Sequence, residues 1–260
     1  MANSIEINSN YFKKIIKKVI DFFGYEIRKK NNFLDRKQNY IAELNFEDAK
    51  EIEFFEKICL ASKLNLWSIL QSIKYIKNNK ISGDIVECGI YNGNTLSFIY
   101  KLIKRYKLDK NIWGYDTFEE GFLKEDISEF DIDIKKQKTT LENDETRYYS
   151  KQQVISNINK QISYDPKIIF LIKGNIVKTL DFEKNRPEKI SFLRMDTDIY
   201  ATTKKQLEIL YPRLSVGGVL HIDDYGMAPG VKTAVDEYFR NQKVWLHRVD
   251  FTCRYMIKDN

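Results

Sequence analysis

From residue 83 onward the chain alternates short apolar runs with amphipathic stretches, and that rhythm limits its fold more than any other feature. Runs at 84–88, 111–115, 168–172, 190–195 and 219–222 are short and built largely from Ile, Val, Leu and aromatic residues. Strands of this kind need cover on both faces, and helical patterns over 95–106, 202–210 and 230–239 fall between them to supply it. The order predicts an α/β protein with a parallel sheet. Two further runs, 244–249 and 252–257, have too little chain between them for a crossover and predict an antiparallel edge.

Before this region the sequence reads as helical. Phe12, Ile15, Ile16, Val19, Ile20 and Phe23 recur at helical spacing with lysines opposite. A second stretch over 46–79 carries two amphipathic runs, through Ile52, Phe55 and Ile58 and then Leu66, Ile69, Ile73 and Ile76. The expected organisation is an N-terminal helical extension over 1–80 and an α/β domain over 81–260. A long polar segment, about 119–157, interrupts that domain between its second and third strands. Segments of this length inside a compact domain serve as lids or binding elements.

Charge narrows the partners. The formal net charge is +6, and residues 9–30 alone hold seven basic against two acidic side chains. The remainder is nearly neutral, which argues against a nucleic-acid groove. The basic stretch is read as a helix packing on the domain or on a second subunit, making a homo-oligomer the expected assembly. Its alternative is peripheral contact with an anionic membrane surface. No apolar run is long enough to span a bilayer, and the opening residues lack the pattern of a signal peptide. Three scattered cysteines form neither a disulfide framework nor a metal knuckle, and the expected place is the cytoplasm.

The first chemical signal is Asp84-Ile85-Val86-Glu87-Cys88-Gly89-Ile90-Tyr91-Asn92-Gly93-Asn94-Thr95, a strand, a glycine-bracketed turn and a helix start. The glycines would let backbone pass close to a ligand, and the helix N-terminus offers free N–H groups. The spacing is not Gly-x-Gly-x-x-Gly, and no phosphate-loop Lys-Ser/Thr follows, which weakens dinucleotide and ATP readings. The second signal is Asp116 at the end of the next strand, where acids take ribose hydroxyls, followed by Thr117, Phe118 and Glu119 in the same crevice. The third is a pair of acidic strand ends, Asp196-Thr197-Asp198 and His221-Ile222-Asp223-Asp224. Four carboxylates converging beyond the strand ends would repel unless a cation sat among them, and oxygen-only donors suit Mg²⁺ or Mn²⁺. Asp198 and Asp224 are also read as candidate helix caps.

Taken in order, Gly-Asp-Ile-Val-Glu-Cys-Gly, Tyr-Asp-Thr-Phe-Glu, Leu-Arg-Met-Asp-Thr-Asp-Ile-Tyr and Gly-Gly-Val-Leu-His-Ile-Asp-Asp-Tyr resemble the macrocin O-methyltransferase family. The resemblance runs from about residue 64 to 239 and includes Ala234 to Tyr238. It implies a doubly wound, mostly parallel seven-stranded sheet, the Rossmann-like class I methyltransferase fold. It also implies S-adenosylmethionine and Mg²⁺-dependent transfer to a sugar hydroxyl of a glycan, nucleotide-sugar or glycosylated natural product. Cofactor contacts are expected at Glu87, Cys88, Gly89, Tyr91, Gly93, Asn94, Thr95, Asp116, Thr117, Phe118, Gly174 and Asp196. The metal ligands would be Asp196, Asp223 and Asp224, and Asp196, Asp198 or His221 would serve as base. The chain departs from the family in holding Thr197 where Gly is usual. Two alternatives stand beside this reading: a non-sugar hydroxyl, as on a catechol or lipid, and a non-catalytic binding module. Tyr200 and Tyr225 are open between sugar contact and packing, and Arg194, Lys204 and His247 receive no chemical role.

Overall fold

The computed structural model describes residues 22, 41–132 and 148–259. The chain divides between Glu43 and Leu44, and the architecture below is that of the larger, C-terminal unit. Apart from Phe22, the basic stretch over 9–30 lies outside the described residues, as does 133–147 of the polar insert.

The ordered elements are α1 (Phe46–Phe55), α2 (Lys63–Asn78), β1 (Asp84–Cys88), α3 (Asn94–Tyr106), β2 (Ile112–Asp116), α4 (Lys151–Gln161), β3 (Ile169–Lys173), the single turn α5 (Ile176–Thr179), β4 (Ile190–Met195), α6 (Tyr200–Ile209), β5 (Leu214–Ile222), α7 (Pro229–Tyr238), β6 (His247–Arg248) and β7 (Arg254–Ile257). The seven strands form one sheet in the order β3-β2-β1-β4-β5-β7-β6. The first five run parallel, with Val86 beside Trp113 and Leu193, and Leu193 beside Leu220. β7 pairs antiparallel with both β5 and β6. The seven-stranded, mostly parallel α/β expectation therefore holds, edge included.

Successive residues of each central strand point to opposite faces, and both faces are apolar. Ile85, Phe192 and Val219 join one core with Phe55, Ile69, Ile73 and Phe98. Val86, Leu193 and Leu220 join the other with Leu207, Leu210 and Val235. Helices α1 and α2, expected in an extension ending at residue 80, thus share the first core with the sheet itself. An ionic cluster reinforces this: Asp48 and Glu51 of α1 meet Lys74 of α2 and Lys101 and Arg105 of α3.

Local signals set the helix starts. Ser62 caps α2 by accepting from the Asn65 N–H at 3.1 Å. Ser150 and Gln153 form a capping box at α4. The helix α4 begins at Lys151, so the last residues of the expected insert are helical rather than lid. The insert's first part is tied down by Asp131, wholly buried, which accepts from Ser128 and from the Tyr200 N–H that opens α6. The strand order reverses beside β1, between β2 and β4, which places a crevice beyond the carboxyl ends of these strands.

Candidate active site

A cavity of about 500 Å³ occupies that crevice, a size typical of small-molecule sites. Four non-glycine residues with left-handed backbone stand on its wall: Tyr91 (φ 53°), Phe118 (φ 61°), Asp198 (φ 59°) and Asp224 (φ 59°). Each follows a different strand, β1, β2, β4 and β5. Among the described residues only Lys80 and Lys107 share this conformation, both just after helices. Such backbone costs energy and persists where the surroundings enforce it, typically at functional sites.

The loop after β1 is shaped by protein neighbours. A Cβ on Gly89 (φ +86°) would sit 1.7 Å from the Asp196 carbonyl oxygen, and one on Gly93 would meet the Val154 side chain at 2.8 Å. Both glycines therefore admit a neighbouring element, where close approach of a ligand was the expected reason. Asp116 Oδ2 accepts from the Ile90 and Tyr91 N–H groups at 2.7 and 2.9 Å, and Oδ1 from the Phe118 N–H at 2.6 Å. Burial raises the Asp116 pKa against those three donors. One carboxylate thus pins the loops after β1 and β2 around the cavity.

Of the expected cofactor contacts, Gly89, Tyr91, Thr95, Asp116, Thr117, Phe118, Gly174 and Asp196 line the cavity. Glu87, Cys88, Gly93 and Asn94 do not. Glu87 is fully buried and bonds to Arg194 at 3.1 Å. Cys88 lies in the core beneath α6 and α7. Gly93 packs on α4, and the Asn94 amide donates to the Ile58 carbonyl at 2.7 Å.

The acids are organised by Arg194. This residue of β4 keeps 2% exposure and donates to Glu87 at 3.1 Å, Asp196 at 2.5 Å and Asp223 at 2.6 Å. Asp223 also accepts from the Asn65 amide and the Thr252 hydroxyl. The three carboxylates whose oxygens converge, within 4.8 Å of one another, are Asp196, Asp198 and Asp224. The converging set shares Asp196 and Asp224 with the expected ligands and holds Asp198 where Asp223 was expected, Asp223 being bonded to the guanidinium and the Asn65 amide.

One guanidinium cannot neutralise this many acids. Burial pushes the Glu87 pKa up to about 8, with Arg194 opposing. Asp196 is raised to about 7, by burial and then, against Arg194, by the charges of Asp223 and Asp198, while its side chain keeps 30% exposure where it lines the cavity. Asp224 is pushed up to about 12 by burial and by Asp198. Its side chain meets that of Asp198, a contact between two carboxylates that requires a shared proton or a cation. Clustered carboxylate oxygens are the donor set a hard divalent cation fits.

His221 is sealed away from the cavity, its Nε2 2.8 Å from the Ser68 hydroxyl, and burial followed by the Arg194 charge lowers its pKa to about 3. It has no route to a substrate proton. Tyr200 and Tyr225 turn outward and donate to Glu237 and Asp236. His247 stacks between Trp245 and Tyr255 on the sheet edge. Residues that sequence reasoning missed also line the site: Asn65 of α2, and Asp250, Phe251 and Thr252 of the turn before β7. Arg194 could have been noticed, since a charged residue inside an apolar strand must find partners. Asn65 carries no such signal.

Residues 24–258 match the family described as Macrocin-O-methyltransferase (TylF). Demethyldecarbamoylnovobiocin O-methyltransferase of Streptomyces niveus is 30% identical over 174 residues, 66% of this chain and 64% of that protein. Mycinamicin III 3''-O-methyltransferase of Micromonospora griseorubida is 30% identical over 161 residues, 61% of each. The chain thus spans less than two thirds of the length of these curated relatives. Among solved structures, that of the O-methyltransferase NovP superposes with a TM-score of 0.69 at 26% identity, covering 76% of this chain and 81% of that one.

Proposed function

Because the chain belongs to the macrocin O-methyltransferase family, we propose that it transfers a methyl group from S-adenosylmethionine to a hydroxyl oxygen with the help of a divalent cation, and that the hydroxyl belongs to a sugar. The observation that carries this reading is the convergence of Asp196, Asp198 and Asp224 on the wall of the crevice that Gly89 and Asp116 also line. S-adenosylmethionine supplies an electrophilic methyl on a sulfonium, and a divalent cation supplies charge that acidifies a nearby hydroxyl. The acceptor oxygen forms the new bond to carbon as the carbon–sulfur bond breaks, so both partners must be held in line.

The chain's own residues divide this work. The loops pinned by Asp116 would bind and orient the cofactor. Asp196 and Asp224, common to the expected ligand set and the observed cluster, would hold the cation, which replaces the protons their raised pKa values retain. Asp198 would accept the proton of the hydroxyl, since Asp196 is bonded to Arg194 and His221 has no access. A sugar acceptor is supported by the family resemblance. A second reading, a hydroxyl on an aromatic or lipid acceptor, is supported by Leu60, Met227 and Phe251, exposed apolar side chains among the lining residues.

Calorimetric titration with S-adenosylmethionine and S-adenosylhomocysteine, each with and without Mg²⁺, tests the cofactor. Binding of both is expected, and absence of binding with Mg²⁺ present would remove the reading. Among the described residues no helix is long and apolar enough to cross a membrane. A cytoplasmic, homo-oligomeric enzyme, with its basic N-terminal stretch on protein or on a membrane surface, completes the proposal.

A further inference from the structure

Asp198, which joins the acid cluster to α6, sits in a turn that backbone geometry disfavours. The Ile199 N–H donates back to the Thr197 carbonyl at 2.7 Å, an i→i+2 bond that closes a γ-turn with Asp198 at its centre. Its φ is 59°, which makes this the rare, strained form of that turn. Such a conformation lasts only where the contacts around it outweigh its cost. The two ends are tied down. The Asp196 N–H donates to the Cys88 carbonyl at 2.9 Å, and the Tyr200 N–H to the buried Asp131 at 2.8 Å.

Between those ends the grip comes from the Thr197 side chain. The wholly buried Gln206 amide of α6 donates to the Thr197 hydroxyl oxygen at 2.7 Å, and the Thr202 hydroxyl stands 2.8 Å from the same atom. Thr202 Oγ1 lies 3.1 Å from the Ile199 carbonyl. Each hydroxyl has one proton to give, and all three contacts are met when Gln206 donates to Thr197, Thr197 to Thr202, and Thr202 to Ile199. This relay spans the turn, from the residue before Asp198 to the residue after it. The φ of Thr197 lies outside the left-handed region, so its backbone does not require the glycine usual at this position in the family. A glycine there would leave Gln206 and Thr202 no side chain to hold.

We propose that Thr197 is a positioning residue for Asp198: its hydroxyl, held by Gln206 and Thr202, locks the turn that keeps the Asp198 carboxylate in the cluster with Asp196 and Asp224. The inference rests on the cation-assisted methyltransferase reading above, in which Asp198 takes the proton of the acceptor hydroxyl. Thr197 touches neither that proton nor the cation. It fixes where the carboxylate stands. An Asp198 oxygen within 4.8 Å of oxygens of both Asp196 and Asp224 adds its charge to the cation's surroundings, whichever of the three acids binds it. Mn²⁺ affinity therefore reports the place of Asp198.

The test titrates the full chain with Mn²⁺ and, separately, with S-adenosylhomocysteine. Thr197→Val keeps the shape of the side chain and removes its hydroxyl. Mn²⁺ binding should weaken by about two- to tenfold, the range for one neutral hydrogen bond, while S-adenosylhomocysteine affinity stays within about twofold. Thr197→Ser keeps the hydroxyl and should restore the Mn²⁺ affinity. Gln206→Met removes the donor from the α6 side, should weaken Mn²⁺ binding in the same direction, and carries the test if the valine variant does not fold. Unchanged Mn²⁺ affinity in the variant that carries the test would overturn the assignment. So would a serine variant as weak as the valine one, which would make methyl packing the cause, or an equal loss of S-adenosylhomocysteine affinity, which would mark a general collapse of the wall. If the unaltered protein binds no Mn²⁺, the cation reading itself fails and this inference with it.

Discussion

Arg194 and Asp223, on neighbouring strands, are joined by a 2.6 Å hydrogen bond between the guanidinium Nη2 and the carboxylate Oδ2. The bond ties the end of β4 to the end of β5 at the floor of the cavity, where the arginine is almost wholly out of solvent. The same guanidinium reaches Glu87 of β1 and Asp196, so one charge holds three of the sheet's loop origins together. Removing either partner leaves an uncompensated buried charge, which is costlier than never having had the pair.

Arg194→Met should accordingly destabilise the fold by about 3–5 kcal/mol. Asp223→Ala should also destabilise, by less, because Glu87 and Asp196 still face the guanidinium. Urea denaturation measures both. A change below about 1 kcal/mol in the arginine variant would show that the three carboxylates do not depend on it.

Glu87 gives the pH dependence a sign. Its folded pKa, about 8, lies above the value of roughly 4.3 for an unperturbed Glu. The folded chain keeps a proton that the unfolded chain has released, so this contribution is present in full below the lower value and is lost as pH rises through about 8. Glu87→Gln, always neutral, should flatten the fall in stability between those limits in chelator-treated protein. Parallel stability–pH curves for the two proteins would contradict the assignment.

Asp224→Asn separates cation from cofactor. Mn²⁺ affinity should fall at least about tenfold, the loss of a charged ligand, while S-adenosylhomocysteine binding is retained, since the Asp116-pinned loops are untouched. Calorimetry with each ligand reads both. Equal loss of both affinities would place Asp224 in the cofactor's own site.

Gly89→Ala should be severe for steric reasons. The new Cβ would fall 1.7 Å from the Asp196 carbonyl oxygen at a φ of +86°, at a cost of about 3 kcal/mol or more. A thermal melt reports the loss, and cofactor binding should go with it because the β1 loop has to move. An unchanged melting temperature would mean that β1 and β4 are further apart at that point.

Much of this protein is legible along the chain. Ile85-Val86 and Phe192-Leu193 announce strands covered on both faces, because alternation at period two with apolar residues at every position has few other outcomes. The spacing of Glu87, Gly89 and Asp116, and the acids ending two strands, locate the crevice, because parallel strands deliver their carboxyl ends to one side of the sheet. What each of those residues does there was not legible. Gly89 lines the cavity and its missing Cβ also admits the Asp196 carbonyl, whereas Gly93 packs against the helix α4 and does not line the cavity. His221 resembles a base and is sealed behind Ser68.

The sequence by itself determined the α/β architecture, its sheet edge and the side of the sheet that carries the site, all consequences of local periodicity and chain direction. Only the tertiary structure decided which acids meet. Asp198 joins Asp196 and Asp224 while Asp223 is drawn to Arg194 and Asn65, because the guanidinium and a helix 158 residues away in sequence compete for the same carboxylate. Such a choice depends on distances across the fold, and neighbouring letters in the chain carry no record of it.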